Sequence, residues 1–296
     1  MKTIFDLRNV SYIYLGKFVA LKDATLKINE GEHVAIMGAN GCGKSTLLSI
    51  LNGLIYPTEG EFYAFDNLVK EEVFDSLEGN EMARYFRKKV GFVFQNSDVQ
   101  LFCSNVYDEV AFGPLQLDLP KDEVKKRTDE VLEMVGISSL KDRAPHTLSG
   151  GEKKKVSIAS ILAVNPDVLL LDEPTAGLDP RSQLWLIELL QDLAKAGKTI
   201  ITATHDLDIV EQISTRAIVF GEDHKIKVDT DSHSAINDLE LLMSANLLHK
   251  HMHRHGNLLH EHLHKHDAEH LQHEHEEPAK IVDALEPDLR ANVSPR

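Results

Sequence analysis

"GANGCGKST", Gly38–Thr46, is the stretch that decides the fold. It fits the spacing G-x-x-x-x-G-K-[ST]. Before it stands "GEHVAIM", a turn and a short apolar run that reads as a buried strand; "KSTLLSILNGL" has helical spacing. Between strand and helix, glycines let backbone N–H groups wrap phosphates, and the helix N-terminus adds its positive end. Lys44 is expected to reach the β- and γ-phosphates and Ser45 to ligate Mg²⁺. Gly38, Asn40, Gly41, Cys42, Gly43 and Thr46 complete the cradle. Cys42 stands beside Lys44 and a helix N-terminus, both of which favour a thiolate, so a reactive thiol shielded by nucleotide is expected.

Two further stretches gain meaning from this one. "VLLLDEP" is a continuous apolar strand with an acidic end. Asp172 is expected to hold the Mg²⁺ water shell, and Glu173 to orient or deprotonate an attacking water. "LSGGEKKK" opens a helix at Ser149, Gly150, Gly151 and Glu152, with free N–H groups that make a second anion site. One nucleotide rarely needs two phosphate cradles, so the second is expected to close on the nucleotide of a neighbouring chain.

Outward from these, the chain alternates strand and helix. "TIFDLRNVSYIY" and "ATLKI" read as N-terminal strands. The region from Gln95 to Gly151 is mostly helical, with "KDEVKKRTDEVLEMVG" its best example. "RSQLWLIELLQDLAKAG" is a helix, "KTIITATH" a strand, and "RAIVFG" a further strand. Such alternation implies a parallel sheet flanked by helices. The expected organisation is an ATPase domain over 1–231 with a helical subdomain at about 96–151. A helical extension over 232–248, in which "SAINDLELLMSANLLH" forms one helix, and a tail over 249–296 follow. With 296 residues, 42% of them apolar, the chain can bury a large core. It carries 47 Asp and Glu against 32 Lys and Arg, net −15, which argues against nucleic acid as a partner. Two cysteines, Cys42 and Cys103, imply no disulfide framework. The N-terminus has no apolar core of signal length, and no apolar run approaches the ~20 residues that span a bilayer. A membrane role therefore needs partner chains.

"GANGCGKST", "FVFQN", "LSGGE", "LLLDEP", "GLDP" and "TATH" stand in the order found in the ATPase subunits of ATP-binding cassette transporters, which this chain resembles over roughly residues 4–248. The resemblance implies the P-loop ATPase fold, with antiparallel N-terminal strands and a helical signature subdomain, and ATP with Mg²⁺ as ligands. It also implies roles for single positions. Gln95 senses Mg²⁺ and the membrane partner, Asp179 lies in a loop that communicates across a dimer, and His205 contacts the γ-phosphate. Tyr14 stacks on adenine, with Tyr12 as a substitute. "VFQNSDVQLFCSNVYDEVAFGPLQLDL" resembles the corresponding segment of energy-coupling-factor importers of vitamins and transition-metal ions, with Ser97 where a proline is usual. In that resemblance Val99, Leu101, Phe102 and Val106 face a groove for a helix of a transmembrane coupling subunit, and a substrate-binding membrane subunit is a further partner. One P-loop and one signature imply a homodimer, or a heterodimer with a paralogous ATPase, at the cytoplasmic face of the membrane.

The stretch His249–His275 holds eleven of sixteen histidines and contains a tandem duplication, "NLLHKHMHRHG" followed by "NLLHEHLHKHD". Its composition is that of a disordered, low-complexity tail. Histidines recur two and four apart: His249, His251, His253 and His255, then His260, His262, His264 and His266. Two imidazoles so spaced can meet one ion, and imidazole suits Ni²⁺, Co²⁺, Cu²⁺ and Zn²⁺. Tail and importer-like segment together point to cobalt or nickel uptake. A vitamin importer with an incidental metal-binding tail is the alternative. A non-transport cassette ATPase is a distant third, lacking here a coiled-coil insert, zinc-binding Cys pairs or a second cassette.

Overall fold

Strands β1 (Thr3–Tyr14) and β2 (Phe18–Asn29) pair antiparallel, and β4 (Glu59–Ala64) and β5 (Asn67–Leu68) extend them into a sheet ordered β2-β1-β4-β5. In the computed structural model, residues 2–74, 79–255 and 258–265 are described, with side chains described through 248 except 73–80. His266 and the segment Asp267–Arg296 lie outside them. One face of this sheet is apolar. Phe5, Leu7, Ile28 and Phe62 are fully buried against Leu47, Leu48 and Leu51 of α1 (Lys44–Leu51), the helix that starts in the P-loop.

A second sheet is ordered β10-β9-β3-β8-β7-β6. Its members are β3 (His33–Met37), β6 (Val90–Val93), β7 (Val168–Asp172), β8 (Thr199–Thr204), β9 (Arg216–Phe220) and β10 (Ile226–Asp231). All pairs are parallel except β9 with β10. Every residue of β7 and β8 is buried. Continuous apolar, β-branched strands are what a parallel sheet covered on both faces requires. Because β3, β8, β7 and β6 are neighbours pointing the same way, the residues that follow their C-terminal ends share one edge, where open α/β sheets bind ligands.

Short helices α2 (Glu71–Phe74) and α3 (Gly79–Lys89) lead into β6; no element had been expected between 52 and 94. The helical subdomain is α4 (Val106–Gln116), α5 (Lys121–Met134) and α6 (Gly150–Leu162). Val110, Val131, Leu132, Val156 and Ile158 form its core, continuous with Leu169 and Leu171 of β7. Helix α7 (Pro180–Lys195) starts on Asp179, whose carboxylate accepts from the N–H groups of Arg181 and Ser182. Helix α8 (Leu207–Ile213) follows β8.

Where one helix was expected after residue 232, there are two, α9 (Ser232–Asn237) and α10 (Leu239–Ser244). Asp238 breaks the run: its backbone is extended, and its side chain caps α10 by accepting from Leu241 N. Leu241, Leu242, Leu247 and Leu248 then bury themselves against Ala35 and Met37 of β3 and Val210 of α8. The next residues, read as part of an unstructured tail, pair as a two-stranded antiparallel hairpin, β11 (Leu248–His255) with β12 (Leu258–Lys265).

A candidate nucleotide site at the sheet edge

The P-loop runs from the end of β3 to α1 on unusual backbone. Gly38, Gly41 and Gly43 have φ of 151°, 84° and 116°. A Cβ on Gly43 would stand 2.3 Å from Ala20 O, so the loop passes too close to β2 for any side chain there. Gly43 is the N-cap of α1 and offers no side chain, and the first-turn N–H groups of Lys44, Ser45 and Thr46 have no acceptor within the helix. Ser45 is exposed and the Lys44 side chain is buried. Lys44 Nζ donates to Gly38 O at 2.8 Å and Ala39 O at 3.3 Å, and lies 3.4 Å from Glu173 Oε1.

The ends of β7 and β8 supply the acidic side. Asp172 and Glu173 are 7% and 5% exposed. Glu173 adopts φ 41°, a left-handed backbone that carries strain for a residue with a side chain. Its N–H is fixed on Ala203 O of β8, which aims the carboxylate back over the P-loop. Glu173 Oε1 stands 2.9 Å from His205 Nδ1, and Oε2 accepts from His205 N at 3.4 Å. Burial opposes the ionised form of Glu173, but His205 and Lys44 outweigh it and hold the carboxyl below its ordinary value. The same contact with Glu173 raises His205. Asp172 goes the other way. Burial pushes its carboxyl up against the lowering effect of the Ser45 hydroxyl and the Lys44 charge, and its Oδ1 is buried without a hydrogen-bond partner. A buried carboxylate oxygen with nothing to bind, beside an exposed hydroxyl, suits a divalent cation, so Ser45 and Asp172 fit Mg²⁺.

Tyr14, at the end of β1, is 42% exposed, with its hydroxyl 3.5 Å from Thr46 Oγ1 and its ring edge-on to Tyr12. An exposed aromatic ring thus flanks the P-loop. Asn40 and Gly41 are exposed at the loop crest, beside Glu222 and His224 of the β9–β10 turn; a 220 Å³ cavity lies between them. His224 Nδ1 is 3.3 Å from Cys42 O, a contact that the sequence did not signal.

Cys42 itself corrects an expectation. Its side chain is 2% exposed within the first core cluster, and burial raises its thiol in spite of Lys44. The helix N-terminus and the lysine do favour a thiolate, but the Sγ points into the core, where desolvation dominates.

The signature residues form a separate group. Ser149 caps α6 in a reciprocal box: Glu152 N bonds the Ser149 hydroxyl, and the Glu152 carboxylate accepts from Ser149 N and Oγ. These bonds hold Glu152 below its ordinary value. A Cβ on Gly151 would meet Ser182 Oγ at 2.8 Å and Asp179 Oδ2 at 3.6 Å, so Asp179 lies against the start of α6. Gly150 is exposed. No hydrogen bond or ion pair among the described residues joins this group to the P-loop.

Gln95 follows β6 with its side chain exposed, and no hydrogen bond among the described residues ties that side chain to Asp172 or Ser45. Its carbonyl is held firmly. Lys154 of α6 donates to Phe94 O at 3.0 Å and Gln95 O at 2.8 Å. Burial lowers its ammonium to about 8, against the pull of Asp172. Gln100 adds a second tie, donating to Ser157 O of α6 at 2.9 Å while accepting from Phe94 N. Beyond Gln95, Val99 and Phe102 are 68% and 66% exposed, and Phe102 stands edge-on to the half-exposed Phe112. Leu101 is partly buried. Val106, expected in the same groove, is fully buried in the second core, because Asn105 caps α4 and turns the next residue inward.

Among the described residues no group of three or more His, Cys, Asp and Glu side chains is arranged to hold a metal ion, and no helix is long and apolar enough to cross a membrane. The hairpin histidines from His249 to His264 have a described backbone only.

The family model described as "ABC transporter" matches residues 21–176. A chain from Methanosarcina acetivorans, provisionally named an ABC transporter ATP-binding protein, is 67% identical over 86% of this chain and 93% of its own. The energy-coupling factor transporter ATP-binding protein EcfA of Methanothermobacter thermautotrophicus is 42% identical, over 82% of this chain and 76% of its own. The nickel import ATP-binding protein NikO of Rhodobacter capsulatus is 43% identical, over 84% and 97%. Among solved structures, cbiO1 from Clostridium perfringens, part of the transporter complex cbiONQ, superposes with a TM-score of 0.70 at 38% identity, covering 83% of this chain and 96% of its own.

Proposed function

The chain belongs to the ATP-binding subunits of ABC transporters, which hydrolyse ATP with Mg²⁺ to drive transport, and from that premise we propose that it powers uptake of nickel or cobalt. The observation that carries this reading is the histidine-rich segment rooted directly on the ATPase core at Leu248. The likeness to a nickel import protein and to part of cbiONQ supports it.

In this reading the first-turn N–H groups of Lys44, Ser45 and Thr46 and the loop around Asn40 and Gly41 cradle the phosphates. Lys44 exchanges the carbonyls of Gly38 and Ala39 for β- and γ-phosphate oxygens. Ser45, Asp172 and Gln95 would hold Mg²⁺, which would supply charge neutralisation at those oxygens. Glu173, kept ionised by its neighbours, orients the attacking water and takes its proton. His205, fixed on Glu173, contacts the γ-phosphate, and Tyr14 stacks on the adenine. Ser149, Gly150, Gly151, Glu152 and Asp179 serve a second chain's nucleotide, so the active form is a dimer with two composite sites. Val99 and Phe102 dock a transmembrane coupling subunit at the cytoplasmic face, and a substrate-binding membrane subunit selects the ion.

Uptake of radioactive nickel and cobalt by cells lacking the gene, complemented with wild type or Glu173→Gln, tests the proposal. Wild type should restore uptake and the variant should not. Metal uptake that is the same with and without the gene, while vitamin uptake falls, would replace the metal reading with the vitamin one.

A further inference from the structure

The register of the C-terminal hairpin pairs histidine with histidine. His249 faces His264, His251 faces His262 and His253 faces His260. Between these rungs stand Lys250 with Leu263, Met252 with Glu261 and Arg254 with Leu259. Successive strand residues alternate between faces, so every histidine position of the two strands lies on one face of the ribbon and none on the other.

The arrangement follows from the length of the sequence repeat. Strand β11 ends at His255 and β12 begins at Leu258, and in their register the numbers of paired residues add up to an odd number. Paired residues then have opposite parity. The duplicated unit has eleven residues, which moves the histidines from odd positions in the first copy to even positions in the second. A ten- or twelve-residue unit would have set each histidine opposite a non-histidine. Odd repeat length and this register together bring like to like.

We infer that this face is a metal ladder, a site for divalent transition-metal ions of the nickel, cobalt and zinc kind, set by the juxtaposition of three histidine positions on one strand with three on the other. Directly opposed positions in an antiparallel pair have Cβ atoms roughly 5 Å apart, a separation from which two imidazoles reach one ion at about 2 Å each. Rungs on one face repeat every two residues, roughly 7 Å, so the three pairs are separate sites. A two-stranded ribbon alone is marginal in water; an ion across each rung ties the strands together, and binding is coupled to pairing. The ladder is fixed at its root. Leu247 and Leu248 are buried against Ala35 and Met37, and Asn246 donates to Glu222 in the turn beside the P-loop. The ions are therefore held at a set place on the ATPase.

This inference refines the metal-handling half of the proposed function, and its test is independent of transport. Three neighbour exchanges in β12, H260E/E261H, H262L/L263H and H264K/K265H made together, keep composition, length and histidine count but move the β12 histidines to the other face. Full-length wild type and exchanged chain are titrated calorimetrically with Ni²⁺ alone, and ATP binding by both reports that the core is intact. A histidine already paired across the ribbon acts at high local concentration, so the exchanged chain should bind at least about tenfold more weakly and lose one to three tightly held ions. Unchanged number and affinity would overturn the ladder, because histidines on an unpaired chain do not sense which face they occupy. That result would leave the transport reading standing.

Discussion

Replacing Glu173 with Gln keeps the shape of the side chain and removes its ability to accept a proton. A positioned general base contributes about two to four decades of rate; at about 1.36 kcal/mol per decade that is about 3–5 kcal/mol of barrier. Steady-state phosphate release should fall by that factor while ATP still binds, because no phosphate cradle residue has changed. With ATP and Mg²⁺ the variant should accumulate as a closed dimer on size exclusion. A second readout follows from the electrostatics. The Glu173 contact is the main cause that raises His205 above 6.5, so in the variant the imidazole should titrate back toward 6.5 by NMR. The pair's contribution to stability has a defined window. Glu173 is depressed below 4.5, so its share is lost as pH falls through the folded value. His205 is raised, so its share is complete below 6.5 and lost as pH rises through the higher folded value. Turnover within about tenfold of wild type would remove Glu173 from the role of base. Loss of ATP binding together with turnover would refute the reasoning differently, showing that the carboxylate holds the P-loop in shape.

Gly43→Ala should lose nucleotide binding and lower thermal stability by roughly 1–3 kcal/mol or more, since the added carbon meets Ala20 O on a left-handed backbone; a native-like melting curve would contradict that contact. Both cysteines should react slowly with maleimide at neutral pH. Cys42 is buried, and burial with the Glu109 charge pushes Cys103 up to about 11, so alkylation at Cys103 should accelerate with pH toward that value. Rapid labelling of Cys42 in the nucleotide-free protein would count against its place in the core. Phe102→Asp should cost about 1 kcal/mol or less, from the lost ring contact with Phe112, and leave ATPase activity intact. It should also release the chain from the membrane fraction, and unchanged membrane recovery would move the docking face elsewhere.

The nucleotide site was legible because its chemistry is written in local spacings. A P-loop needs its glycines and lysine within nine residues, and strand–helix alternation brings Asp172, Glu173 and His205 to the same sheet edge without long-range information. What stayed hidden depends on which side of a residue is covered. Near a helix N-terminus and a lysine, Cys42 looks activated; only the packing of Phe220 and the core behind it shows the thiol turned away from water. Val106 and Phe102 stand four residues apart, and the Asn105 cap that starts α4 decides which is buried. Asp238 is one acid among several until its side chain caps α10. The histidine repeat was visible as a repeat, but its parity acquires meaning only once the register of the two strands is known.

Lys154 and Gln100 tie the segment around Gln95 to α6 through Phe94 O, Gln95 O and Ser157 O. The face carrying Val99 and Phe102 is therefore fastened to α6, the helix that begins at Ser149. If a membrane subunit docks on Val99 and Phe102 as proposed, a displacement of that face would pass through these bonds to α6 and its Ser149 tip. One buried ammonium, one amide and the Lys153–Asp98 ion pair would make that a single connection between force and chemistry.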